Sequence, residues 1–322
     1  MQKLFFPELY SPFPYQVNKH VDVLADYAIE WILRFNLLTD ELAYQRFLKS
    51  KFALLMSGAH PYCDLEELKI AHDWISWILM WDDQCDMSEI GEQPLLIKSF
   101  HKRFLEVLKG AEVTTKDVPL SHALHDLRER MLPMTNQKWF DGFVKTVEDY
   151  LNGMLQEAIN RTNKIVPDVE GYIKLRQLTG AMEPLIELIE FCDHLQISDE
   201  ARNSNYLKEL KIMTNNIVCW CNDIFSAPRE IASNEVHSLV LVLHHKHKLS
   251  FDESMQTTAK MHDQQVNSMI ALEKYPPNFG VLVDAEVLKY VNGMHHWISS
   301  SMNWYSHTAR YHTTEKLDVV IS

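Results

Sequence analysis

Three aspartates, Asp82, Asp83 and Asp86, close an apolar, aromatic-rich stretch, WISWILMWDDQCD, that runs from Trp74 to Asp86. Carboxylates set against apolar surface are costly unless they are paired or bound to metal. On a helix of 3.6 residues per turn, Asp82 and Asp86 lie about 40° apart around the axis, with Asp83 about 100° from Asp82. Two side chains therefore point together and a third stands beside them. Clustered acidic oxygens of this kind suit a hard cation such as Mg2+, which keeps several waters and takes few protein ligands. An acidic helix end bathed in solvent would give the same letters, so the motif alone leaves both readings open.

A second stretch, MTNNIVCWCNDIFSAPRE, repeats the anomaly. Asn222, Ser226 and Glu230 are spaced i, i+4, i+8, each step turning about 40° and rising ~6 Å. An amide oxygen, a hydroxyl and a carboxylate on one stripe form an all-oxygen set compatible with Mg2+. An ordinary polar helix face is the competing account. Pro228 inside the stretch removes a backbone donor, which predicts a kink or an early helix end and puts the reach of Glu230 in question.

The elements that would carry these residues read as helices throughout. Apolar residues recur at helical spacing along nearly the whole chain and only 9 of the 322 residues are glycine, so the expected class is all-α. Residues 1–17, with Pro7, Pro12 and Pro14, read as an extended lead-in. A helix follows with Val21, Leu24, Tyr27, Ala28, Trp31 and Ile32 on one face, then a second over Asp40 to Met56. Gly58, Pro61 and Asp64 break the chain, and Asp64 with Glu67 resembles a capping box that starts the Trp74 helix. Further helices are predicted at about 95–109, 118–132, 136–162, 168–195, 204–232 (capped by Ser204), 235–247, 250–273 and 282–306. No repeat or linker is evident. The expected organisation is one α-helical domain, 18–306, built around a central apolar cavity and followed by a segment over 307–322.

Composition narrows the function. The 31 basic and 44 acidic residues leave a net charge of −13, which speaks against a nucleic-acid or anionic-membrane partner. An anionic ligand would need local positive groups or metal ions. Five scattered cysteines, Cys63, Cys85, Cys192, Cys219 and Cys221, read as reduced thiols of a cytosolic protein. No signal peptide and no membrane span are expected. His244, His245 and His247, like His295 and His296, lack a companion that would complete a zinc pattern. Neither a Gly-rich phosphate loop nor a Ser-centred nucleophile elbow occurs.

Taken together, these residues resemble the microbial class I terpene synthases, cyclases of isoprenoid diphosphates. The matching parts are DDQCD at 82–86 and NDIFSAPRE at 222–230, which fits the family's NDxxSxx(K/R)E signature. Arg176 lies 46 residues before Asn222, where the family carries a diphosphate-sensing arginine, and Arg310–Tyr311 begins 80 residues after Glu230, where it carries a terminal Arg-Tyr pair. The likeness spans about Pro12 to His312. It departs at Thr179, where many relatives have aspartate, and at Pro228.

The resemblance implies a single-domain terpenoid-synthase helical bundle, three Mg2+ ions and a farnesyl diphosphate substrate cyclised to a sesquiterpene. Asp82 with Asp86 would hold two ions and Asn222, Ser226 and Glu230 the third, while Asp83, in the same metal motif, would pair with Arg310 on closure. Arg176, Arg229, Arg310 and Tyr311 would bind the diphosphate, a task that suits the planar, permanently charged guanidinium. Gly180 would mark a helix break after Arg176 and turn a carbonyl toward the developing cation. Phe52, Trp77, Trp81 and Trp304 are candidate cavity walls, since aromatic faces stabilise cations. A chain-elongating prenyl diphosphate synthase and a non-catalytic helical binding protein are the competing readings. No motif encodes the product, for which a germacrene-type or related hydrocarbon is the expectation, and the oligomeric state is left open, with a homodimer among the options.

Overall fold

The computed structural model describes residues 4–38, 40–233 and 235–311, so part of the expected C-terminal segment, 312–322, lies outside the described residues. Prolines and the absence of an apolar stripe keep residues 4–18 without helix. Helix α1 (Val21–Arg34) then buries Leu24, Ala28, Trp31 and Ile32, the i, i+4, i+7, i+8 stripe expected of an amphipathic helix.

The helix expected over Asp40 to Met56 is two, α2 (Glu41–Ser50) and α3 (Phe52–Ala59), because Lys51 turns left-handed at φ 52°. That break frees backbone acceptors for later use: Ser50 O receives Trp304 Nε1 at 2.6 Å and Thr308 Oγ1 at 3.0 Å, and Lys49 O receives the Ala309 amide at 3.0 Å. Gly58 does not break the chain; it lies inside α3 where a Cβ would meet Ser300 Oγ at 2.3 Å. Glycine is required there by the close approach of two helices. The expected capping box at Asp64 is also absent: Asp64 makes no side-chain cap, and Glu67 instead meets His194 Nε2 at 3.0 Å.

Long helices form the central layer. They are α4 (Leu65–Met87), then, after α5 (Pro94–Leu108) and α6 (Pro119–Met131), α7 (Gln137–Asn163). The stretch expected at 168–195 is α8 (Val169–Thr179) and α9 (Met182–Cys192), parted where Ala181 adopts φ 55°. After the short α10 (Asp199–Asn203), α11 (Asn205–Ser233) starts on the Ser204 hydroxyl, which accepts from Leu207 N at 3.2 Å, and passes Pro228 without ending. Helices α12 (Leu239–His247), α13 (Phe251–Glu273) and α14 (Val281–Tyr305) complete the chain. The capping box of this chain sits at Ser250 and Glu253, opening α13. Among the described residues there is no strand, and no helix is long and apolar enough to cross a membrane.

Residues from α3, α4, α7, α8, α9, α11 and α14 surround one cavity of about 730 Å³. That volume falls within the range of small-molecule sites. The remaining helices pack outside this ring and hold it in place.

Candidate active site

Helix α4 presents two different stripes. Trp74, Trp77 and Trp81 (i, i+3, i+7) point into the packed core, where Trp77 Nε1 donates to Leu120 O at 2.9 Å and Trp81 Nε1 to His101 Nε2 at 3.0 Å. Burial lowers the His101 pKa to about 3, so its ring is neutral and can accept. Ile75, Ile78, Leu79, Asp82 and Asp86 form the other stripe and line the cavity. Three locked indoles thus fix the rotation that turns Asp82 inward.

This corrects the expectation for the walls. Trp77 and Trp81 are core residues on the wrong face of α4, and Phe52 lies behind the site, 6.1 Å from the Trp304 ring and 5.6 Å from the Arg310 guanidinium. Only Trp304 of the four lines the cavity, joined by Tyr150, Trp297 and Tyr305, which sequence reading missed. The helical wheel held the signal: Ile78 stands about 40° from Asp82, whereas Trp81 stands about 100° away.

The three aspartates are shared between two arginines, Arg310 for Asp82 and Asp83 and Arg161 for Asp86. Asp83 accepts a two-pronged pair from Arg310, Nη1 to Oδ2 at 2.8 Å and Nη2 to Oδ1 at 2.9 Å. Asp86 accepts from Arg161 Nη2 at 2.9 Å, and Arg161 also meets Glu235 Oε2 at 3.2 Å. Asp82 keeps only a long 3.4 Å contact to Arg310 Nη2. Burial, with Asp86 nearby, pushes its carboxyl up to about 8. Among the described residues no three of His, Cys, Asp and Glu converge closely enough to hold a cation unaided. The acidic cluster expected from DDQCD is, in this state, divided between two arginines.

Across the cavity, α11 brings Asn222, Ser226 and Glu230 onto one face. Ser226 Oγ donates to Glu230 Oε1 at 2.6 Å, so the proline does not carry Glu230 out of reach. Burial, reinforced by Asp223, pushes Glu230 up to about 8 as well. Asn222 Oδ1 accepts from Arg176 Nη2 at 2.6 Å, and its Nδ2 donates to Tyr311 OH at 2.8 Å. Two raised acids and an all-oxygen donor set, with no sulfur or imidazole in the group, fit a hard divalent cation.

Arg176 is placed by a residue that sequence reading passed over. Fully buried Asp223 accepts from Arg176 Nε at 3.1 Å, from Tyr172 OH at 2.5 Å and from the Leu239 amide that opens α12 at 2.9 Å. Its only signal in the sequence was its place beside Asn222. Arg229 and Arg310 face the same cavity; Arg229 lies 5.1 Å from the Tyr311 ring, and its buried Nη1 has no hydrogen-bond partner among the described residues. Such a donor is ready for an anion. Gly180 stands at the α8–α9 break, where a Cβ would meet Cys219 Sγ at 2.2 Å. Thr179 is buried beside it with Oγ1 unpartnered among the described residues.

The chain that carries this site is similar to known proteins over nearly its whole length. Residues 73–268 match the family described as terpene synthase family 2, C-terminal metal binding. The chain is 47% identical over 319 residues to a germacrene A synthase of Nostoc punctiforme, covering 99% of both chains. It is 32% identical to the (+)-T-muurolol synthase ((2E,6E)-farnesyl diphosphate cyclizing) of Roseiflexus castenholzii, over 98% of this chain and 97% of that one. Germacradien-4-ol synthase from Streptomyces citricolor has the same fold, with a TM-score of 0.83 at 24% identity over 94% of this chain and 99% of that one. The protein belongs to the terpene synthase family. It is a lyase of the terpene-cyclase type, which sets aside the chain-elongating and non-catalytic readings.

Proposed function

We propose that the protein ionises farnesyl diphosphate with the help of Mg2+ and cyclises the cation to a germacrene-type sesquiterpene, releasing diphosphate. The observation that carries this is the facing of Asp82 and Asn222 across one cavity, bridged by neighbouring residues: Arg310 to Asp82 and Asp83, Tyr311 to Asn222. The names of the 47% and 32% identical relatives support the substrate and the product type.

Asp82 with Asp86, and Asn222 with Ser226 and Glu230, would hold the ions, three in number by resemblance. Bound Mg2+ supplies Lewis-acid neutralisation of the departing diphosphate. The protein's own groups do the rest. Arg176, Arg229, Arg310 and Tyr311 donate to diphosphate oxygens and hold the head group at the mouth. Trp297, Trp304, Tyr150 and Tyr305 offer ring faces to the cation, each worth ~0.5–2 kcal/mol. Gly180 turns its carbonyl to the developing charge. Ile75, Ile78, Leu185 and Val218 exclude water and have no lone pair with which to trap the cation. Five buried free cysteines accord with a reducing, cytoplasmic setting.

Incubation with ten-, fifteen- and twenty-carbon diphosphates, with and without Mg2+, tests the reading by gas chromatography–mass spectrometry. A cyclic fifteen-carbon hydrocarbon formed only with Mg2+, with diphosphate released in the absence of isopentenyl diphosphate, is expected. No Mg2+-dependent volatile product from any of the three would overturn it.

A further inference from the structure

The N-terminal strap is joined to Tyr311 by a run of ring contacts, stacked at the first two steps and tilted by 39° at the third. Phe6 stacks on Phe225 with centroids 5.6 Å apart and planes 17° apart. Phe225, one residue before Ser226 on α11, stacks on Tyr305 of α14 at 4.9 Å and 3°. Tyr305 in turn lies 5.8 Å from Tyr311, whose hydroxyl meets Asn222. Four rings therefore run from the molecular surface to the mouth of the cavity.

The strap is seated by backbone and side chain alike. The Phe5 amide donates to Asp252 and the Tyr10 amide to Asp263 at 2.9 Å, both on α13, and Phe13 stacks on His295 of α14 at 4.0 Å. Leu4 and Leu9 close a small apolar cluster of Ile224, Ala227, Val240, Met255 and Ala259 on the outer side of α11. Phe6 nevertheless remains 42% exposed, so its ring adds little to the buried core. What it does touch is the outer face of Phe225.

We infer that Phe6 and Phe225 are positioning residues for diphosphate recognition, holding Tyr305 and through it Tyr311 against Asn222. The inference rests on Asn222 and Tyr311 belonging to the diphosphate site. Stacked planes have little freedom to slide without losing contact. Removing the outer ring lets Phe225 and Tyr305 tilt outward and loosens the hydroxyl that meets Asn222. The strap thereby acts on head-group binding rather than on the apolar floor.

The test compares Phe6→Ala, Phe6→Leu and Phe6→Tyr in the full chain. Each is assayed for KM and kcat with farnesyl diphosphate, for its unliganded melting temperature, and for the shift in that temperature on adding Mg2+ with inorganic diphosphate. Phe6→Ala and Phe6→Leu should raise KM about three- to tenfold, the weight of one ring pair. They should also shrink the ligand-induced shift and leave the unliganded melting temperature in place. Phe6→Tyr should match the parent chain. Phe225→Leu should raise KM by a similar factor, and adding Phe6→Ala to it should cost little more, because one broken stack cannot be broken twice.

Unchanged KM in Phe6→Ala would overturn the inference. So would a leucine that serves as well as tyrosine, or a rise in KM matched by an equal loss of unliganded stability. If the parent chain itself gains no stability from Mg2+ with diphosphate, the diphosphate-site reading falls and the inference falls with it.

Discussion

At the scale of single residues, the site is held in a strained electrostatic state. Asp82 and Glu230 both have carboxyls raised to about 8, in each case chiefly by burial. For an acid raised in the folded state, the unfolded chain ionises first as pH climbs from about 4, so the ligand-free protein loses stability from there up to about pH 8. Asp82→Asn should therefore be neutral or stabilising without ligand, with its melting temperature gaining on the parent between pH 5 and pH 8. The same variant should lose turnover by about 10²-fold or more, as should Asn222→Ala, with helical circular dichroism kept. Parent-like turnover in either would refute the metal assignment.

Cation binding must displace protons from these two groups. Affinity for Mg2+ with diphosphate should rise with pH and level off above about 8. Calorimetry in buffers of different ionisation heat checks this by counting the protons released. Arg310→Ala should behave in the opposite way to Asp82→Asn. It leaves the largely buried Asp83 with only the long 3.9 Å contact to Arg46, a loss of up to ~3–5 kcal/mol visible in a urea melt.

At the scale of elements, helix faces decide who may take part. The stripe through Ile75, Ile78 and Asp82 was legible from spacing alone, and so was the Asn222, Ser226, Glu230 stripe. The break at Gly180 was implied by the resemblance, while periodicity alone predicted one helix over 168–195. Other features were not legible. Lys51 and Ala181 adopt left-handed backbone without the glycine or asparagine that normally advertises it, so tertiary packing overrode local preference there. The aromatic walls were misassigned because tryptophan's size drew attention away from the register of α4. Arg161 carried no sequence signal and Asp223 only its place beside Asn222, since their partners Asp86 and Arg176 lie 75 and 47 residues away.

The α8–α9 break makes its own prediction. Gly180→Ala would drive a Cβ into Cys219 Sγ at 2.2 Å, so α8 must shift from α11 and take Arg176 with it. A stability loss of ~1–3 kcal/mol is expected, with turnover falling alongside. Adding Cys219→Ala, which vacates the sulfur's volume, should return part of the melting temperature. If the double variant is no more stable than Gly180→Ala alone, steric crowding is not the reason for glycine.

At the scale of the molecule, a chain of net charge −13 nevertheless brings Arg161, Arg176, Arg229 and Arg310 to one cavity, and under the proposed function these and the bound cations offset the charge of the diphosphate. The all-α class and the two oxygen-rich stripes were legible in composition and spacing, whereas their facing across a cavity was what the family resemblance implied. The pairing of Arg310 with Asp83 was implied by the resemblance, whereas the contact of Tyr311 with Asn222 and the use of the carbonyls set free at Lys51 are tertiary and left no pattern along the chain. Because a ligand held by the folded state alone stabilises it, Mg2+ with diphosphate at about 100 times its dissociation constant should add ~2.7 kcal/mol, and a chelator should abolish the gain.

Arg310 and Tyr311 grip opposite banks of the cavity although their α-carbons are joined by a single peptide unit of about 3.8 Å. That unit works as a fixed gauge between the two motifs. A chain remodelled for longer or shorter isoprenoids would then find its room among apolar lining side chains such as Leu55, Met182 and Leu185, while the spacing between the motifs stays as it is.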